Sequence, residues 1–230
     1  CKQKVKGIKW RIGLKHRLTH DGKGKGAGIA LYWDDSIKIK VLSYGLRYFD
    51  VLVCEPNFPK WRCTFVYGEP RAQDRHYMWS LLRRIRPNAS EPWLMIGDFN
   101  ETMWQSEHFS TSKISEGQMA RFLSVLNFCN LHDLGFRGKP WTYDNKKQGA
   151  RNVKARIDRA VASPCWQDIF TQATVTHITT QRSDHFPLLL NYMGQDNSDR
   201  AARLFRYEYM WERDPSLADE IKNAWNNSDA

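Results

Sequence analysis

Asp98 and Asn100 stand two residues apart at the end of an apolar run, "PWLMIGDFNE" over 92–101. In an extended strand alternate side chains share a face, so the two polar groups point together while Phe99 points away. Such a pair at a strand's carboxyl end can hold a water, a metal or a phosphate oxygen. The same residues also suit an Asx-type turn leaving a buried strand. Two further stretches bear on the choice. "RSDHFPLLL" over 182–190 sets Asp184 and His185 directly before an apolar strand. An imidazole beside a carboxylate is readily held protonated and then pairs well with a phosphate oxygen. "KARIDRAVAS" over 154–163 places Asp158 in a strand between Arg156 and Arg159, where a buried salt bridge is the plainer alternative. Tyr67 ends a third apolar run, "RCTFVYGEP", and by itself reads as a core tyrosine with a wet hydroxyl. Together these strand ends supply carboxylate, amide, imidazole and phenol, the groups that hydrolyse a phosphodiester with a divalent ion. Carboxylates hold the metal and orient water, while the other donors stabilise charge on the phosphorus oxygens. With no cysteine site for zinc, oxygen ligands point to Mg²⁺ or Mn²⁺.

The elements that position these residues are mostly strands. Apolar runs at 26–35, 37–45, 48–56 and 61–70, with alternation over 37–41 and turn residues between them, predict antiparallel pairing. A helix is expected over 71–87, with Trp79, Leu82 and Ile85 at helical spacing and Pro87 as its stop. A second is expected over 115–131, with Ser115 as N-cap and Met119, Phe122, Leu123 and Leu126 on one face. Strands follow at 140–145, 155–163, 173–179 and 186–193, with a helical turn at 164–170. The tail carries a strand-like 204–211 and an amphipathic 214–225. Many strands covered by two or three helices predict an α+β sandwich.

Composition sets the outer bounds. The chain of 230 residues is 41% hydrophobic and rich in aromatics, enough for a substantial core and unlike a disordered chain. Its net charge of +10 favours a polyanionic partner, because neutralised phosphates release counterions. The five cysteines form no CxxC pair and no zinc spacing. Cys54 and Cys129 are expected in the core, and the usage suits a reducing compartment. No apolar stretch approaches a membrane span.

Taken in order, "FVYGEP", "WLMIGDFNE", "PWTYDN", "ARIDRAVAS" and "RSDHFPLLL" resemble the endonuclease/exonuclease/phosphatase superfamily, the DNase I-like enzymes. The wording is most similar to the endonuclease domains of plant LINE-type non-LTR retrotransposon polyproteins. The resemblance implies a four-layer α/β/β/α sandwich with the site at the sheet rims, and a Mg²⁺-dependent (or Mn²⁺-dependent) endonuclease that nicks DNA. It assigns Asp98 to orienting or deprotonating the attacking water, and Asn100 to holding that water and the phosphate. Tyr67 would stabilise the transition state, and Asp184 would assist the metal site. His185 would contact the scissile phosphate, paired with Asp158, and Thr142 of "PWTYDN" would lie near that phosphate. The opening "CKQKVKGIKW" resembles the stretch after the family's metal-ligating glutamate. The first strands, with that glutamate and an asparagine ligand, are therefore expected upstream of Cys1, and activity is expected to be impaired. Neither Glu69 nor Glu101 matches the missing position.

On this resemblance, residues 1–193 form the nuclease domain and 194–230 a linker and helix leading toward a reverse transcriptase. The expected partner is DNA, with a monomeric chain, no membrane, and a nuclear or cytoplasmic rather than secreted setting. A catalytically dead remnant or nucleic-acid-binding pseudoenzyme of the same fold is the alternative. A phosphatase of small substrates is disfavoured by the charge and the retroelement-like wording.

Overall fold

The computed structural model describes residues 13–21 and 28–194. The tail elements expected at 204–211 and 214–225 lie outside the described residues, as do the linker beyond Gly194 and the segment 1–12.

Two antiparallel ribbons open the described chain. β1 (His16–Asp21) pairs with β2 (Gly28–Trp33), and β3 (Lys38–Gly45) with β4 (Tyr48–Cys54). β4 also pairs antiparallel with β5 (Trp61–Tyr67). The chain then crosses over through α1 (Arg75–Ile85) to lay β6 (Trp93–Asp98) parallel to β5. Arg86 after α1 is extended, with ψ 126°, as the steric demand of Pro87 on its predecessor requires. There follow β7 (His108–Phe109), α2 (Glu116–Cys129), β8 (His132–Asp133), β9 (Arg137–Gly138) and β10 (Tyr143–Asp144). Then come β11 (Lys154–Ala155), β12 (Asp158–Ala162), α3 (Pro164–Ile169), β13 (Thr174–His177) and β14 (Leu188–Asn191).

The central sheet has six strands in the order β3-β4-β5-β6-β12-β8, flanked by small sheets β14-β13-β9 and β10-β11-β7. Period-two alternation along β6 and β12 divides their side chains between two cores. Trp93, Met95 and Val161 join Trp79 and Leu82 of α1 and Phe122, Val125 and Leu126 of α2. Leu94, Ala160 and Ala162 face the other way, against Val51, Trp61, Trp166 of α3 and Val175 of β13. Helices α1 and α2 thus cover one face of the sheet, and β13 with the short α3 the other, which makes the expected α+β sandwich.

Three local expectations change. The run 155–163 is two strands: the backbone leaves the small sheet after Ala155 and enters the central one at Asp158. Ser115 caps α2 through its carbonyl, which accepts from Gln118 N and Met119 N, while its hydroxyl makes no capping bond. Cys129 is buried as expected, but Cys54, near the end of β4 where the sheet runs out, is only half-buried.

Candidate active site

Register alone assembles the first part of the site. In the central sheet Tyr67 is paired with Asp98 across β5 and β6, and Asp98 with Asp158 across β6 and β12. Three residues from three strands therefore stand in one row at the sheet's rim. Asp98 and Asp158 are buried, with 9% and 8% of their surface exposed, while Tyr67 is exposed at 38%.

Asn100 reaches Asp98 by a turn rather than by strand alternation. β6 ends at Asp98, and Asn100 takes the left-handed conformation at φ +54°, which asparagine tolerates better than most residues. Its backbone N–H donates to Asp98 Oδ1 at 2.7 Å, and its Nδ2 donates to Asp98 Oδ2 at 2.8 Å and to Gly68 O at 3.2 Å. Phe99 between them is fully buried against Phe122, which anchors the turn in the helix-side core. The turn and the functional pair are the same object.

Two glycines make this packing feasible. A Cβ on Gly68 would stand 2.3 Å from the Phe99 carbonyl oxygen, and one on Gly97 would stand 2.1 Å from the Val66 carbonyl oxygen. Gly97 also sits at φ +142°, where side-chain-bearing residues are strained. Gly68 N donates to Asp98 O at 2.5 Å, so the end of β5 and the end of β6 are pinned together.

His185 enters from the other small sheet's border. It forms an isolated bridge with Tyr143 of β10, and the two rings stand 5.1 Å apart. Its Nδ1 lies 3.0 Å from Asp158 Oδ2. That hydrogen bond, with the charges of Asp158, Asp98 and Asp184, raises the imidazole's pKa against the opposing effect of burial. Burial, followed by the neighbouring Asp158 charge, pushes the Asp98 carboxyl up to about 7. One ligand atom from each of Asp98, Asp158 and His185 lies within 4.8 Å of the others. Two carboxylates brought this close repel, and a divalent cation between them would relieve that repulsion. The two carboxylates thus fit a divalent cation.

The other sequence-predicted residues take different places. Thr142 is fully buried, and its hydroxyl oxygen accepts from Ile157 N at 3.1 Å and Asp158 N at 3.0 Å. It fixes the backbone that presents Asp158. Asp184 is exposed, its carbonyl accepting from Asp144 N, and its carboxylate falls outside the close cluster. Glu69 pairs with Arg47 at 2.6 Å and Glu101 with Arg75 at 2.6 Å, so both carboxylates are committed elsewhere.

The alternative of a salt bridge between Asp158 and its neighbouring arginines gives way to another pattern. Arg156 and Arg159 turn from Asp158 and bind Glu107 and Asp133 instead, at 2.7 to 2.9 Å in the four ion pairs. Asp158 is left to His185. Glu107 and Asp133 have no signal in the sequence, since they lie 23 to 52 residues from their partners. Arg47 was also missed: it donates to Gly68 O at 3.1 Å and lies over the Tyr67 ring at 5.5 Å. Only the tight "YG" after an apolar strand hinted at a crowded spot there.

The endonuclease/exonuclease/phosphatase family model matches residues 5–185. No curated protein matches the sequence. Among solved structures, the endonuclease domain of TRAS1, a telomere-specific non-LTR retrotransposon, aligns with a TM-score of 0.59 at 16% identity. That alignment covers 78% of this chain and 81% of that one. A truncated TDP2 of Caenorhabditis elegans aligns at 0.48 and 14% identity, over 80% of this chain and 78% of that one. ANGEL2, a 2′,3′-cyclic phosphatase, aligns at 0.48 and 15% identity, over 81% of this chain and 76% of that one.

Proposed function

Because the chain belongs to the endonuclease/exonuclease/phosphatase family, we propose that it hydrolyses phosphodiester bonds of DNA, as the endonuclease domain of a non-LTR retroelement polyprotein. The observation that carries this reading is the row Tyr67–Asp98–Asp158 with His185 bonded to Asp158. In it Asp98 accepts a proton from the attacking water, and a carboxyl pKa near neutrality suits a base working near that pH. Asn100 holds the Asp98 carboxylate in one orientation through two hydrogen bonds. With Nδ1 of His185 given to Asp158, the donor left for a phosphate oxygen is Nε2, and the paired carboxylate favours the imidazolium that donates best. Tyr67, exposed beside Asp98, offers its hydroxyl to the same phosphate. Asp98 and Asp158 would hold the divalent cation that family enzymes generally use, which would draw charge from the phosphate oxygens.

The net charge of +10 supports a nucleic-acid substrate over a small phosphate ester. The wording shared with plant LINE-type elements supports a parent polyprotein in which residues 194–230 lead toward a reverse transcriptase. Nicking of supercoiled plasmid in Mg²⁺ or Mn²⁺ tests the proposal. Activity abolished by chelator and lost in both Asp98→Asn and His185→Ala is the supporting result. Nicking that survives Asp98→Asn would sink it. The commitment of Glu69 and Glu101 to Arg47 and Arg75 favours a second reading, binding without turnover. Tight DNA binding with no nicking by the wild-type chain would select it.

A further inference from the structure

The β10-β11-β7 sheet carries, beside the catalytic cluster, an aromatic corner that hydrolysis does not use. Phe109 of β7, 40% exposed, meets Trp141 edge to face, with ring centroids 5.6 Å apart and planes at 69°. Two ammonium groups lie against the same indole, Lys154 Nζ at 4.5 Å and Lys139 Nζ at 5.4 Å from its centre. The surrounding chain, 137–154, holds Arg137, Lys139, Lys146, Lys147, Arg151 and Lys154 against the single carboxylate of Asp144. All of these cations except Lys154 are exposed. The corner is continuous with the site through the sheet register. Phe109 pairs with Lys154 and Lys154 with Asp144. In the adjacent row His108 pairs with Ala155, Ala155 with Tyr143, and Tyr143 with His185. Three strand spacings, about 14 Å, separate the two ends, a few nucleotides along a strand.

Resting on the nucleic-acid reading above, we infer that Phe109 and Trp141 seat an unpaired base of the strand whose phosphate lies at Asp98, Asp158 and His185. A paired duplex buries its base faces and can offer this corner only its backbone. An unstacked base presents a π-face, which an indole accepts whatever the base's identity. Two rings at 69° form a seat with a floor and a side wall, so a base stacked on one meets the edge of the other. Lys139 and Lys154 are then in reach of the flanking phosphates, which are stronger partners for ammonium than an aromatic face. The inference thus assigns the substrate a local single-stranded or splayed nucleotide near the cut.

The test is fluorescence anisotropy with the full chain in chelator, using a short labelled single-stranded oligonucleotide and the same sequence as a blunt duplex. Trp141→Ala should weaken single-strand binding by about 5- to 150-fold, the span of one lost base stack, and leave duplex binding unchanged. Trp141→Phe, which keeps a ring, should recover most of the loss. Phe109→Ala, at an exposed position, should act in the same direction with less risk to the fold. Single-strand affinity unchanged from the wild type in both alanine variants overturns the inference. So does an equal loss on both ligands, or a wild type that binds neither. Turnover of bis(p-nitrophenyl) phosphate in Mg²⁺ or Mn²⁺ separates the two claims: no turnover with ring-dependent binding defeats hydrolysis and leaves the seat standing.

Discussion

Strand β12 carries two groups of buried charge that differ in one respect. On one side Arg159, together with Arg156, meets Glu107 and Asp133, two cations for two carboxylates. On the other, Asp158 and Asp98 share a single imidazole, so the group keeps an excess of negative charge. Burial alone would raise the Asp133 and Glu107 carboxyls, but the guanidinium charges outweigh it and hold both below the usual carboxylate range. At Asp98 burial and the Asp158 charge outweigh the two Asn100 hydrogen bonds and the His185 charge, and the carboxyl rises to about 7. Balanced charge makes a brace, even with the Nε atoms of both arginines unpaired. Unbalanced charge makes a site that still wants a cation or a proton.

The largest expected effect breaks the comparison at the site. Asp98→Asn should lower plasmid nicking by about 10²- to 10⁴-fold, as removal of the proposed general base would, without lowering the urea midpoint. At the brace the same kind of change should act on the fold. Arg159→Met leaves Glu107 and Asp133 with half their countercharge and should cost about 3–5 kcal/mol in urea unfolding, with the activity of the remaining folded fraction retained. A brace variant that loses turnover but not stability would show that the two groups are not separable.

pH sharpens the contrast because the two groups have opposite signs. Glu107 and Asp133, with lowered folded pKa values, add stability that is complete above about pH 4 and fades as pH falls below it. Asp98, with a raised one, binds its proton more tightly when folded, so stability declines as pH climbs from about 4 to about 7 and then levels off. Thermal melts in chelator should show both limbs. Asp133→Asn should lower stability across the neutral plateau and flatten the acid limb, whereas Asp98→Asn should flatten the decline toward neutrality. Adding Mg²⁺ at tenfold its Kd should raise stability by about 1.4 kcal/mol in the wild type and not in Asp98→Asn. A Mg²⁺ response that survives Asp98→Asn would place the cation elsewhere.

A smaller effect than at the site or the brace lies at the joint between the groups. Thr142→Val strands the N–H groups of Ile157 and Asp158 and should cost about 1–3 kcal/mol, with Thr142→Ser restoring most of it. If Thr142→Ser melts no higher than Thr142→Val, the hydroxyl is not what holds Asp158.

Much of this was legible from one chain. Apolar runs bounded by turn residues placed β4, β5 and β6, and the polar residues that end β5 and β6 pointed to Tyr67 and Asp98 at a rim. Ser-Asp-His before an apolar strand placed His185 there as well. Less was legible about how the pieces meet. Alternation suggested that Asp98 and Asn100 share a strand face, whereas a left-handed residue after the strand brings them together. Asp158 between two arginines suggested a local salt bridge. In space those arginines reach residues 23 to 52 positions away and release Asp158 to His185, 27 positions on.

The sequence by itself determined which side chains are present and which strand ends present them, because strand periodicity and turn chemistry are local properties of the chain. Only the tertiary structure decided who pairs with whom. Register between β5, β6 and β12 put Tyr67, Asp98 and Asp158 in one row, and burial beside Asp158 then raised the Asp98 carboxyl to about 7. Charge balance is a property of the whole neighbourhood. No stretch of residues states it until the strands have met.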